Sequence, residues 1–163
     1  MAQDEVDRII AAWNRECPTL DVAPLQVFSR VSRLARHLDL ARRAAFSEHD
    51  LVPWEFDVLS ALRRAGSPYE LTPGQLMSVT LVTSGTMTNR IDRMVDHGLV
   101  QRNADSQDRR MVRVRITAEG MRRVDQAMAA LADSERAALS HLDDGEQREL
   151  ANLLRRLLLP FDA

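Results

Sequence analysis

Apolar residues recur at three- and four-residue steps through most of this chain, and the period shortens to two only in one stretch past its middle. From Asp4 to Arg15 the residues Val6, Ile9, Ile10 and Trp13 make one apolar stripe, which predicts a helix that Pro18 ends. Asp21 or Val22 precedes a second, longer helix with Pro24 in its first turn. It presents Val27, Val31, Leu34, Leu38 and Ala41 on one face and runs to about Phe46. Pro53 opens a third, Trp54 to Arg64, with Phe56, Leu59 and Leu62 inward, and Gly66-Ser67-Pro68 breaks it. Near the end, a helix from Thr117 or Ala118 carries Met121, Val124, Met128 and Leu131. A last one, capped by Asp143 with Glu146, turns Leu150, Leu153, Leu154, Leu157 and Leu158 to one side before Pro160. These terminal helices are too apolar on one face to stand alone; they are expected to pack on each other and on a second subunit.

Between them, Leu71 to Thr117 is predicted to form helix, turn, helix and a two-stranded hairpin. Thr72 is a good N-cap, with Pro73 at the first helical position and Gln75 placed to return a hydrogen bond; Leu76, Met77 and Val79 are expected to hold this helix to the core. After the turn Thr80-Leu81-Val82, Thr83 caps a helix reaching His97, which Gly98 stops. Met87, Ile91, Met94 and Val95 form its inward stripe. Ser84, Gly85, Thr86, Thr88 and Asn89 fill its first turns with short polar side chains, beside free N–H groups and a positive dipole end. In the hairpin, Val112, Val114 and Ile116 alternate inward while Arg113 and Arg115 point out, and Asp105 to Arg110 form the tip. The fold class is therefore mainly α with a small β-hairpin wing, a winged helix-turn-helix. That element suits a DNA groove: Asn89 can read an adenine edge, Arg93 a phosphate, and an arginine at the tip a narrow minor groove. Any one of these features alone would also fit a core helix beside a solvated hairpin; their order along the chain favours the winged reading.

Composition narrows the class. Of 163 residues, 45% are hydrophobic, 28% charged and 4% aromatic, as for a globular helical core packed by Leu, Ala and Val. The formal net charge of −2 does not suggest a nucleic-acid partner, but Arg90 to Arg115 holds seven Arg against four Asp, a local +3. No run of about 18 apolar residues predicts a membrane span. The first residues lack the basic start and apolar stretch of a signal peptide, so a cytoplasmic location is expected. Cys17 is the single cysteine, which excludes an intrachain disulfide and a cysteine-cluster zinc site. His37, His49, His97 and His141 are scattered, with no pair at ligand spacing, and read as surface or helix-end histidines. There is no P-loop, Gly-x-Ser-x-Gly, His-Glu-x-x-His or dinucleotide fingerprint, and no enzyme is expected.

Ser84 to Met94, then Gly98-Leu99-Val100, Asp108-Arg109-Arg110 and Ile116-Thr117-Ala118-Glu119-Gly120, resemble the MarR family of bacterial transcription regulators. The likeness spans about Val27 to Leu158, and the Asp-Arg-Arg wing followed by Ile-Thr-x-x-Gly is its specific part. It implies a homodimer with interlocking terminal helices, and two winged lobes on a palindromic double-stranded operator with half-sites about 34–36 Å apart. It implies Ser84, Thr86, Thr88 and Asn89 in the major groove, and Arg110 in the minor groove, braced by Asp108; Arg109 at the tip and Arg93 on the helix complete the expected DNA-binding set. It divides the chain into N-terminal helices (1–50), a winged domain (51–118) and C-terminal dimerisation helices (119–163).

The extra N-terminal helix bearing Trp13, with Trp54 to Leu59, Thr88 to Arg93 and Leu99 to Arg102, is similar to the urate-responsive, PecS-like branch of that family. The resemblance implies a ligand site of Trp13, Asp57 and Arg90, with Arg102 as relay, and a small anionic effector such as urate or a related purine; no cofactor is expected beside it. The chemistry suits urate, a flat anion: an indole stacks, Arg90 forks and Asp57 accepts. Plainer readings stand beside it. Trp13 also reads as a packing residue, and Asp57 with Arg90 as a buried ion pair. Aconitate, citrate or a phenolic acid could fill the same pocket, Cys17 could answer oxidants, and the leucine-rich helices could serve a protein-interaction module without specific DNA binding.

Overall fold

The computed structural model describes residues 3–104 and 111–161. They fall into two compact units, Met1–Arg42 and Arg43–Ala163.

In the first unit, α1 spans Glu5–Glu16. Its cap is Asp4, which accepts from the Val6 and Asp7 N–H groups, while the Asp7 carboxylate accepts in return from the Asp4 N–H at 2.9 Å. The helix α2, Leu25–Ser47, begins here and ends in the second unit. Arg30 on α2 forks onto Asp4 (Nε to Oδ2, 2.8 Å) and Asp7 (Nη2 to Oδ1, 2.8 Å). The Arg30 hydrogen bond is the main cause that lowers the Asp4 carboxyl below its usual range. Val6, Ile10, Val22 and Leu25 pack beneath this tie. Trp13, expected on the buried stripe, is 45% exposed. The stripe is covered at Val6 and Ile10, and no described residue of this unit buries Trp13's turn.

The second unit holds α3 (Pro53–Arg64), β1 (Glu70–Leu71), α4 (Pro73–Thr80), α5 (Ser84–Asp96), β2 (Val100–Ala104), β3 (Val112–Ile116), α6 (Ala118–Leu139), α7 (Asp144–Leu158) and a closing 3-10 turn (Leu159–Phe161). Phe46 stacks on Phe56 with ring centroids 3.9 Å apart. Around them Leu59, Leu62, Leu76, Met87, Ile91, Met94, Leu99 and Val114 are fully buried, joining α3, α4, α5 and the sheet in one core. The expected two-stranded hairpin is a three-stranded antiparallel sheet in the order β1-β3-β2, with Leu71 opposite Val114 and Arg102 opposite Val114 on the other side. A strand of two residues carries too short an alternation to read from sequence.

The caps fall where local chemistry places them. Thr72 accepts from the Gln75 N–H at 3.2 Å and its own N–H donates to Gln75 Oε1 at 2.9 Å. Asp143 and Glu146 make the same reciprocal pair on α7. Thr117 does more than cap α6. Its hydroxyl accepts from the Gly120 N–H at 3.0 Å and lies 2.7 Å and 3.0 Å from the Gly98 and Leu99 carbonyls, to which it can donate. Gly98 takes φ +69°, a left-handed stop that suits glycine. Several expected inward positions are instead exposed: Val79, Val95, Val112, Met128, and Leu153, Leu157 and Leu158 on α7. Leu34, Val27 and Val31 on α2 are exposed too. Helical spacing marks an apolar side, whereas covering it requires an element opposite, and among the described residues of either unit none covers these positions. Among the described residues, no helix is long and apolar enough to cross a membrane.

Candidate nucleic-acid interface

Thr83 starts the site. Its hydroxyl accepts from the Thr86 N–H at 3.4 Å and lies 3.0 Å from the Thr86 hydroxyl, so α5 begins abruptly with its first N–H groups outward. Met87, Ile91 and Met94 anchor the opposite side in the core. That fixes Ser84, Gly85, Thr86, Thr88 and Asn89 on the exposed side, as expected from the sequence. Thr88 donates back to the Ser84 carbonyl at 3.1 Å, which orders its hydroxyl along the helix. At the turn before α5, Leu81 takes φ +53° and is 91% exposed, so α4 and α5 meet through a strained residue with no packing role.

Arg93 is exposed and Arg90 half-buried, and both guanidinium carbons lie 5.3 Å from the Trp54 ring centroid. Next to Trp54, Glu55 is 3% exposed; its Oε2 accepts from the Val52 N–H at 3.1 Å and its Oε1 lies 3.1 Å from His97 Nδ1. The first turn of α3 therefore touches α5 at Arg90, Arg93 and His97, three successive turns of one face. Trp54, Glu55 and His97 were absent from the sequence-predicted site. The Pro53-Trp54-Glu55 order shows a helix start, but which helix its side chains meet is a tertiary matter.

Arg102 on β2 pairs with Asp92 on α5, Nη1 to Oδ1 at 2.6 Å, so the expected relay residue is tied to the recognition helix two residues beyond Arg90. Asp57 is exposed on the second turn of α3. Trp13 belongs to the first unit. Asp108, Arg109 and Arg110 lie outside the described residues. At the base of the wing, Arg113 stands 3.7 Å from Glu70 and Arg115 is exposed.

A helix with a polar, solvent-facing start, a second helix before it and an antiparallel sheet after it define a winged helix-turn-helix. The model of the MarR family matches residues 49–111. The HTH-type transcriptional regulator PecS of Dickeya dadantii (strain 3937) is 35% identical over 153 residues, which cover 94% of this chain and 92% of that relative. The chain therefore belongs to the MarR family. A MarR family protein from Bacillus stearothermophilus has the same fold, with a TM-score of 0.74, 22% identity, and coverage of 99% of this chain and 100% of that one. A mutant of MarR from E. coli, solved in complex with operator DNA, is similar at a TM-score of 0.68 and 25% identity over 90% of this chain and 97% of that one.

Proposed function

We propose that this protein is a homodimeric transcription regulator that holds α5 of each subunit in the major groove of a palindromic operator and lets go when a small anion binds behind that helix. The observation that carries it is the division of α5 into two sides: Ser84, Thr86, Thr88, Asn89 and Arg93 exposed for bases and phosphates, and half-buried Arg90 on the Trp54 indole behind them. The E. coli relative's complex with operator DNA supports the first half of this reading. Exposed Leu153, Leu157, Leu158 and Phe161 support the dimer, because an apolar surface of that size calls for a partner. Arg109 and Arg110 reach the minor groove, with Asp108 bracing them. The protein works in the cytoplasm, as a repressor.

Urate or a related purine is the ligand we favour. Among the described residues neither Arg90 nor Arg93 has a carboxylate partner, so their planar donor edges stay available for an anion. Asp57 accepts from ring N–H groups, and Arg102 passes the change to α5 through Asp92. Gel shifts on the flanking intergenic DNA test this directly, with urate, xanthine, aconitate and citrate titrated in. Urate is expected to release the DNA at the lowest concentration, and Arg90→Ala to blunt both ligand affinity and release. A salt-insensitive or sequence-blind complex would sink the regulator reading. Arg90→Ala with both properties intact would sink the ligand site.

A further inference from the structure

Arg90 and Arg93 are one helical turn apart, so their guanidinium groups repel each other. Each sits 5.3 Å from the same ring centroid, and among the described residues no carboxylate pairs with either. The Trp54 ring is thus the one described group that both like charges contact, and its π-system attracts each of them. Trp54 is itself held: it is packed partly into the main core, directly after Pro53, and the next residue, Glu55, is buried and joined to both Val52 and His97. The ring is thus anchored on α3, while Arg90 beside it is half-buried and Arg93 exposed.

We propose that Trp54 is a positioning residue that couples the two tasks of α5. With no ligand, both guanidinium groups lie 5.3 Å from the ring centroid, and the indole steadies Arg93 at the exposed side of α5, where it meets a phosphate. An anion that engages Arg90 draws it from the ring and cancels its charge. Arg93 then loses its repelling neighbour and settles closer over the ring, which withdraws it from the phosphate. The contact of Glu55 with His97 holds the far end of α5 against α3, so the Trp54 ring stays beside Arg90 and Arg93. This inference rests on the DNA and anion reading above.

The test is a mutant cycle on operator affinity, measured at fixed salt with and without urate, for wild type, Trp54→Leu, Arg93→Gln and the double variant. Trp54→Leu is expected to weaken ligand-free binding about fivefold to tenfold, the size of one or two lost cation–π contacts. It is expected to shrink the urate-induced release ratio by a similar factor. In the Arg93→Gln background it should change neither quantity, because both substitutions remove one interaction. Trp54→Phe should restore most of the wild-type ratio, and thermal unfolding shows that each variant folds. A second readout is 19F NMR of the protein labelled with 5-fluorotryptophan, in which Trp54→Phe assigns the Trp54 signal. That signal should shift on adding urate and remain still in Arg90→Gln. Additive losses in the cycle, or an unmoved Trp54 signal while urate releases DNA, would overturn the coupling. Wild-type operator binding that no anion changes sinks the ligand reading and the coupling with it; the ligand-free Trp54/Arg93 cycle then still decides the positioning role on DNA.

Discussion

Gly120 shows how one missing side chain can hold a wing to a helix. A Cβ built there would fall inside contact distance of the Leu99 carbonyl oxygen and 3.1 Å from Ile116 Cγ1. The Leu99 atoms are backbone and cannot step aside. Gly120→Ala is expected to destabilise the protein by about 1–3 kcal/mol, lowering Tm by roughly 3–10 °C in calorimetry, although alanine is the better helix former. This also explains the Ile116-Thr117-Ala118-Glu119-Gly120 run in physical terms: Thr117 binds three backbone groups at one junction and Gly120 lets that junction close. Glu119 in the same run accepts from Arg122 first and Arg123 next, which pulls its carboxyl from 4.5 down to about 2. The ionised form is thus favoured by folding. Its contribution is complete above pH 4.5 and is lost as the pH falls toward 2. A carbon-detected NMR titration should find its midpoint near 2 in the wild type and closer to 4.5 in Arg122→Gln; an unshifted midpoint in the wild type would refute the assignment.

Among the elements, α5 depends on its cap. Removing the Thr83 hydroxyl should cost about 0.5–1 kcal/mol, toward the lower end because the bond to the Thr86 N–H is long at 3.4 Å. Thr83→Ala should also weaken operator binding, since the frayed turn carries Ser84 and Thr86; Thr83→Ser should restore both in chemical denaturation and gel shifts. Caps were legible in the sequence at Thr72, Thr83 and Asp143 because a cap is chemistry among four consecutive residues. The stop at Gly98 was legible for the same reason. Exposure was not. Val79, Val95 and Met128 lie on apolar stripes yet face outward, because periodicity states which side is apolar and not whether another element reaches it. The candidate DNA face of α5 was readable from its polar start, whereas the Trp54 platform and the Glu55–His97 contact join residues 36 or more positions apart and leave no local trace.

For the whole molecule, the decisive property is assembly. Leu153 and Leu157 are exposed on α7, and charging that face with Leu153→Glu and Leu157→Glu should convert the dimer to monomer in sedimentation velocity. The same variant should lose operator affinity by a hundredfold or more, on the order of 3 kcal/mol, because one lobe alone reads half a palindrome. A double variant that stays dimeric and binds normally would place the interface elsewhere. The net charge of −2 gives no hint of a DNA partner, while the local excess of arginine from Arg90 to Arg115 does.

Helix boundaries, caps, the alternating strands and the polar opening of α5 follow from residues adjacent in the chain, since hydrogen bonds and periodic burial act over a few positions. The third strand, the indole beneath two arginines, the Arg102–Asp92 tie and the buried Glu55 required the folded molecule, because each depends on which distant side chains the core brings within a few ångströms.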